Sequence, residues 1–291
     1  MKTGGTVMKI PYKTIRGRSF ILYGTVAYFI FFFVVVISIA PLIWVLLSSL
    51  KTNAEILSSA FSMPSSFFLE GYKIASQIAN IPMRFLTSII VASCTTIISV
   101  ILYALAAYAL ARFNFRLKGF VYGLLLTPLL IPSNSMIQPL YTIVKTFGLY
   151  DTKGGLILVY TGFSMVLCLF LMKNYFQTIP KELDEAAIID GAGYLTLFIR
   201  IMLPIGKPAL ASSAILSFLG AWNELLYALL LTSREINRTL PLTMKYFTNM
   251  FTFNYTAMFA ALVMCIAPTL LFYVVLQEQI MESMVAGSVK G

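Results

Sequence analysis

The sequence contains no histidine, and acidic residues are few: 11 Asp and Glu against 21 Lys and Arg in 291 residues, a formal charge of +10. Without imidazole there is no Ser-His-Asp or Cys-His catalysis and no His-based metal site. The three cysteines, Cys94, Cys168 and Cys265, each lie inside an apolar run. They are too scattered for a metal knot, and an odd number cannot all pair, so they read as small buried hydrophobes. The sequence also lacks a G-x-x-x-x-G-K-[ST] run. Gly206-Lys207-Pro208 contains Gly-Lys, but the upstream glycine is missing and proline follows, so no phosphate-cradling loop can form there. Charge of either sign is scarce, at 11% of residues against roughly 25% in soluble domains. Hydrophobic residues make up 59% and the mean hydropathy is +0.87. A soluble fold could not hide that much apolar surface, so lipid is the expected solvent. The basic excess sits at the ends of apolar runs, where it orients a membrane protein; no nucleic-acid partner is expected.

A membrane span needs about 20 apolar residues. Six runs meet that length, at residues 20–50, 85–111, 120–144, 156–176, 209–232 and 256–277. They predict an all-α polytopic protein whose single transmembrane domain covers residues 1–291. The first run is far longer than the roughly 7–15 residues of a signal core and reads as a retained span. Lys2, Lys9, Lys13, Arg16 and Arg18 precede it with no acid among them. Arg112, Arg116 and Lys118 fill the next loop on that side, and Lys173, Lys181, Arg200 and Lys207 the third. This bias and the even span number place both termini in the cytoplasm. Prolines interrupt several spans: Pro41 in the first, Pro128, Pro132 and Pro139 in the third, Pro268 in the sixth. Two readings are open for the third span: ordinary kinks, or a broken helix that lines a cavity.

The loop at 180–204 is the one long amphipathic stretch outside the spans. Pro180 suits a first helical turn, and Glu182, Asp184 and Glu185 complement the positive end of the helix dipole. Leu183, Ala186, Ala187 and Asp190 share a face by helical spacing, kept thin by the two alanines. Gly191-Ala192-Gly193 permits a turn. A second helix is expected from 194 to 203 with Leu195, Phe198, Ile199 and Met202 on one face, ended by Pro204 and Pro208 before the fifth span. The pattern by itself reads first as an interfacial helix pair that joins two spans.

A longer motif lies on this loop: Glu185-Ala186-Ala187, Asp190, Gly191, Ala192, Ile201 and Leu203-Pro204. It resembles the EAA loop of ABC importer permeases. Tyr108-Ala109-Leu110-Ala111-Arg112 with Phe115, Ile131-Pro132, Pro139-Leu140-Tyr141, Phe147-Gly148-Leu149 with Asp151-Thr152, Trp222-Asn223-Glu224 and the tail 286–291 are similar to the smaller, maltose-type permease subunit of the carbohydrate branch. Thr87-Ser88 departs from that family, which usually has Asn-Ser. The resemblance implies a type I importer permease fold in a bacterial or archaeal cell membrane, with no covalent chemistry and no cofactor on this chain. It implies a heterodimer with a second, homologous permease, an ABC ATPase dimer carrying ATP and Mg, and an extracytoplasmic solute-binding protein. It also implies that Glu185, Ala186, Ala187, Asp190, Gly191, Ala192, Ile201, Leu203 and Pro204 couple to the ATPase. Its cargo would be a sugar or oligosaccharide; importers of glycerol phosphate and sugar alcohols belong to the same subfamily.

Glu224 is the one acid well inside a span, where charge is costly and is expected to face protein or water. It reads first as an interhelical hydrogen-bonding group. The other reading places it on a substrate pathway with Trp222 as a sugar-stacking face and Asn223 as a donor, joined by Asn134, Ser135 and Gln138 from the third span. A secondary transporter or channel working alone is the rival class; it needs a coupling-ion site or filter that one intramembrane acid does not supply. An intramembrane enzyme has no catalytic constellation to use.

Overall fold

The computed structural model describes residues 18–247 and 254–288. Lys2, Lys9, Lys13 and Arg16, which carry the orientation argument, and the final Val289-Lys290-Gly291 of the tail motif lie outside the described residues. All elements among the described residues are helical. That suits a chain in lipid, where a backbone must satisfy its own N–H and C=O groups. The order is α1 (Arg18–Ser48), α2 (Asn53–Ser58), α3 (Glu70–Ala79), α4 (Ile81–Arg112), α5 (Lys118–Leu126), α6 (Ile137–Thr146), α7 (Lys153–Thr178) and α8 (Glu182–Ile189). Then come α9 (Tyr194–Leu197), which runs through a π-helical turn at Phe198–Met202 into α10 (Leu203–Ile205), and α11 (Lys207–Asn223), α12 (Leu226–Leu231) and α13 (Tyr255–Ser288).

The predicted first, second, fourth and sixth spans are unbroken helices, long and apolar enough to cross a bilayer. The third is broken: Lys118–Leu130 and Ser133–Thr146 meet at 99°. Proline explains the break. Pro128 opens a 3₁₀ turn at Thr127–Leu130, and Ile131 is extended (φ −101°, ψ 117°) ahead of Pro132, as the residue before proline must be to avoid a clash. The broken stretch and α7 line a largely apolar cavity of about 950 Å³ that includes Ile131, Ser133, Met136, Phe163 and Phe170. The fifth run, expected as one helix over 209–232, is a correction. It is helical at α11, extended at Glu224 (ψ 126°), and helical again at α12. A second sharp bend, 78°, separates Tyr194–Ile205 from α11; counting each bent pair as one crossing brings the total to six.

The centre of the bundle is α4 against α7, with α11 laid on both. Small residues let these backbones approach: Ala92, Thr95, Ser99, Ala104 and Ala107 of α4 and Ala209, Ser212, Ser213 and Ser217 of α11 are all buried. Between lipid-soluble helices such close packing supplies the attraction that the hydrophobic effect cannot. α1 instead packs mainly on α13 and leaves most of its apolar residues between Val26 and Leu46 exposed.

At the end of the bundle opposite the 180–204 loop, two polar latches fix the connections. Asp151 accepts from the N–H groups of Ser233 (2.9 Å) and Arg234 (3.0 Å) and pairs with the Arg234 Nε at 2.7 Å; Asn237 donates to its main chain. Partial burial works against the Asp151 carboxylate, but these donors outweigh it and hold the pKa down at about 2. Arg84, buried, pairs with Glu235 and lies over the Tyr246 ring at 4.4 Å. A depressed carboxyl pKa contributes stability above its unfolded value, near 4, and loses it as pH falls through the folded value. Thermal unfolding in detergent between pH 6 and pH 2 is therefore expected to fall less steeply for Asp151→Asn than for the parent, from a lower midpoint at neutral pH. Identical midpoints at neutral pH would exclude the latch as a stabilising contact.

Candidate functional site

The loop at 180–204 folds into a two-armed elbow. Lys181, Glu182, Asp184 and Glu185 open α8, with its three acids in the first turn, where unpaired N–H groups and the dipole favour negative charge. The arm ends in a Schellman turn: Ala192 N–H donates to Ala187 O (2.9 Å) and Gly191 N–H to Ile188 O (3.0 Å). Gly191 takes φ +84°, a left-handed conformation that costs other L-residues about 1–2 kcal/mol. A Cβ there would meet nothing within 4 Å, so the restriction on Gly191 is conformational and not one of space.

The second arm corrects the predicted face. Leu197, Phe198 and Met202 are buried, whereas Leu195 and Ile199 are exposed. The π-helical turn at Phe198–Met202 is the reason: its i→i+5 repeat aligns Leu197 with Met202, which an α-helix would not do. The arm also passes through Pro204 and stops only at Ile205, before Gly206. Gly206 sits so close to α7 that a Cβ would fall 2.5 Å from a Phe176 ring carbon and 2.8 Å from Met202 O. The inner side of the elbow is therefore continuous with a hydrophobic core that includes Ala107, Tyr108, Leu169, Met172 and Phe176.

An ion pair helps hold the first arm to the bundle. Arg112, the last residue of α4, places its Nε 2.9 Å from Asp184 Oδ2 and donates through Nη1 to Ile179 O at 2.9 Å. Burial raises the Asp184 pKa; Arg112 acts against that rise, Glu185 adds to it, and Lys181 opposes it. Of the motif residues, Ala187 is buried, Ala192, Ile201 and Leu203 are partly buried, and Glu185, Ala186, Asp190, Gly191 and Pro204 are exposed. The two alanines thus divide between the faces: Ala187 turns to the bundle, and Ala186 lies outward with Leu183 and Asp190. Exposed Ile188, Ile189, Tyr194 and Leu195 surround that outward acidic face. A cleft of about 490 Å³ opens beside it along Asp190, Gly191, Thr196 and Arg200.

The second group of candidates lies where two breaks meet. Glu224, extended between α11 and α12, accepts from the Tyr160 hydroxyl (2.6 Å) and from the N–H groups of Tyr227 (2.8 Å) and Ala228 (2.9 Å). Its carboxylate therefore takes up the N–H groups that the interrupted helix leaves over and ties them to α7. Tyr227 in turn donates its hydroxyl to Ser133 O at 2.6 Å, inside the break of the third span. The interhelical role is thus occupied. Trp222 is 1% exposed, packed on Phe85, Phe218 and Phe272, and offers no free stacking face. Asn223 is exposed and donates to Leu219 O at 3.0 Å in its own helix; Asn134 and Ser135, in the 3₁₀ turn that follows the third-span break, and Gln138, in the first turn of α6, are exposed. The long-range partners Arg112, Tyr160, Tyr227 and Gly206 were not singled out for these roles, because nothing local marks a contact made across tens of residues. No group of three or more potential metal ligands occurs among the described residues.

The family model of the binding-protein-dependent transport system inner membrane component matches residues 104–284, the part that contains both sites. The diacetylchitobiose uptake system permease protein NgcG of Streptomyces coelicolor is 39% identical over 87% of this chain and 84% of its own. The trehalose transport system permease protein SugB of Mycobacterium tuberculosis is 33% identical over 87% of this chain and 93% of its own. A crystal structure of a bacterial ABC transporter involved in the import of the acidic polysaccharide alginate has one chain of the same fold, with TM-score 0.81 and 23% identity over 90% of this chain and 98% of that one.

Two substitutions test the attachments. Glu224→Ala leaves two N–H groups and a hydroxyl without an acceptor and is expected to cost about 1–3 kcal/mol, read as a lower thermal midpoint in detergent; Asn223→Ala, one residue away, is expected to leave it unchanged. Asp184→Ala strands the buried Arg112 guanidinium and is expected to speed amide hydrogen exchange across 182–192, while Glu185→Ala leaves that exchange as it is.

Proposed function

The chain belongs to the family of binding-protein-dependent transport system inner membrane components, and we propose that it is one half of the pore of an ATP-driven importer of sugars or oligosaccharides. It is a multi-pass membrane protein and a transport subunit of an ABC importer. The cargo class is supported by relatives whose names specify diacetylchitobiose and trehalose uptake. A second, homologous permease would complete the pore, an ATPase pair binding ATP and Mg would lie beneath it, and a solute-binding protein would deliver cargo from outside. Both termini and the elbow would then face the cytoplasm.

The observation that carries the mechanism is the division of the elbow into two faces. The outer face offers Glu185, Ala186, Asp190 and exposed apolar side chains to a partner, and the inner face is fused to the bundle core. A partner that grips such a body moves helices. Ala186 lets it approach closely, Glu185 and Asp190 supply charge for pairing, and Gly191 sets the angle between the arms. Movement of the second arm passes through Gly206 into α11. α11 carries it about 25 Å at 1.5 Å per residue to Glu224 and the paired breaks. There Asn134, Gln138 and Asn223 are exposed polar groups suited to a sugar's hydroxyls, and Tyr227 joins the two broken spans.

Gly191→Val places a β-branched residue at φ +84° and alters the elbow angle without touching a span. The expected outcome in proteoliposomes is normal insertion and assembly, retained ATP hydrolysis and strongly reduced binding-protein-dependent uptake. Uptake equal to the parent's would refute the lever.

A further inference from the structure

Residues 56–69, which follow the first span, contain no charged side chain and expose Leu57, Phe61 (89%), Met63 (76%), Phe67 (81%) and Leu69. A loop this apolar would ordinarily collapse onto its own protein, yet this one is pinned open by its frame. Glu55 accepts from the N–H groups of Thr52 (2.8 Å) and Ser65 (3.1 Å) and from the Ser65 hydroxyl. The Ser65 hydroxyl and the Thr52 and Ser65 N–H groups hold its pKa down at about 2, so the nearest acid stays ionised and engaged with the loop itself. The buried Lys51 ammonium donates to Ala60 O at 3.2 Å and lies 3.5 Å from Ser59 O. Phe68 N–H donates to Leu50 O at 3.0 Å and closes the loop.

The frame also fixes where the loop lies. The Trp44 indole N–H donates to Ala60 O at 2.8 Å, and the Trp44 and Phe61 rings are 6.2 Å apart. Trp44 is within the apolar helix Gly24–Ser48, about one turn, or roughly 6 Å, before its end. The loop thus folds back beside the last turn of a span, where Trp44 also packs edge-on against Phe259 of α13 at 5.2 Å. Open loop backbone needs hydrogen-bonding partners and cannot lie in the hydrocarbon. Aromatic side chains, in contrast, favour the boundary layer, where amphipathic segments bury about 5–10 Å of apolar face. We propose that residues 57–69 are a lipid-binding anchor that lies in the membrane interface, with Phe61, Met63 and Phe67 inserted among the acyl chains and the serines at 58, 59, 62, 65 and 66 left among the headgroups. The bilayer is its occupant because the loop sits at the level of the end of a lipid-length helix and exposes apolar rings there. Having no charge to offer, the anchor binds by apolar insertion, and neutral headgroups suffice.

The test uses Phe61→Trp and Phe67→Trp, each in the complete importer reconstituted in phosphatidylcholine vesicles, with the parent's emission from Trp44 and Trp222 subtracted. Both exchange one exposed aromatic for another and leave the pinning residues in place. The added emission is expected to be blue-shifted, strongly quenched by lipids brominated near the top of the acyl chain, insensitive to aqueous iodide, and unchanged by salt or by anionic lipid. Quenching by iodide without quenching by bromolipid would place the loop in water and overturn the proposal. Protection from both quenchers would mean that another protein chain covers it, and would overturn the proposal equally.

Discussion

The closeness of Gly206 to Phe176 is the contact on which the rest depends. It brings the second arm of the elbow against α7 with no side chain between them, and it allows Leu197, Phe198 and Met202 to share a core with Met172 and Phe176. A connector that only joined two spans would need none of this; a polar turn of a few residues would do. Sharing a core makes the elbow part of the bundle, since packed interiors transmit displacement and do not absorb it. The ion pair of Arg112 with Asp184 gives the first arm an equivalent attachment to α4. Both arms are thus tied to the two helices at the centre of the protein.

The same principle of satisfied backbone governs the two interrupted spans. A helix cannot break in a bilayer unless its freed N–H groups find acceptors, and at the fifth span one carboxylate supplies them. Glu224 serves α12 and Tyr160 together, and Tyr227 links the break to Ser133 in the third span. Breaks stabilised in this way are defined structures. At the third span the break, through Ile131 and Ser133, lines the largely apolar cavity beside α7.

Much of this was legible in the sequence. The unbroken spans followed from run length, the elbow's acidic start and glycine turn from local preferences, and the family from the motif between Glu185 and Pro204. Pro128 and Pro132 mark the place of the third-span break, but the sequence leaves a kink and a broken helix both open; the 99° bend decides for the break. The break of the fifth was not legible, because no proline or glycine marks Glu224; it depends on Tyr160, 64 residues earlier in the chain. The buried face of the second arm was misread by assuming an α-helical period where a π-turn shifts the register. Trp222 reads from the sequence only as a stacking face for a sugar, and the positions of Phe85, Phe218 and Phe272 instead bury its ring.

In the proposed lever the elbow moves with the bundle as one body. A spin-label pair at Thr196→Cys and Gln177→Cys, both exposed positions, measures this directly in the assembled importer by pulsed electron resonance, with and without ATP. One narrow distance distribution that does not change with nucleotide is expected. A distribution that broadens or shifts when ATP binds would show that the elbow hinges against α7 and does not move with it.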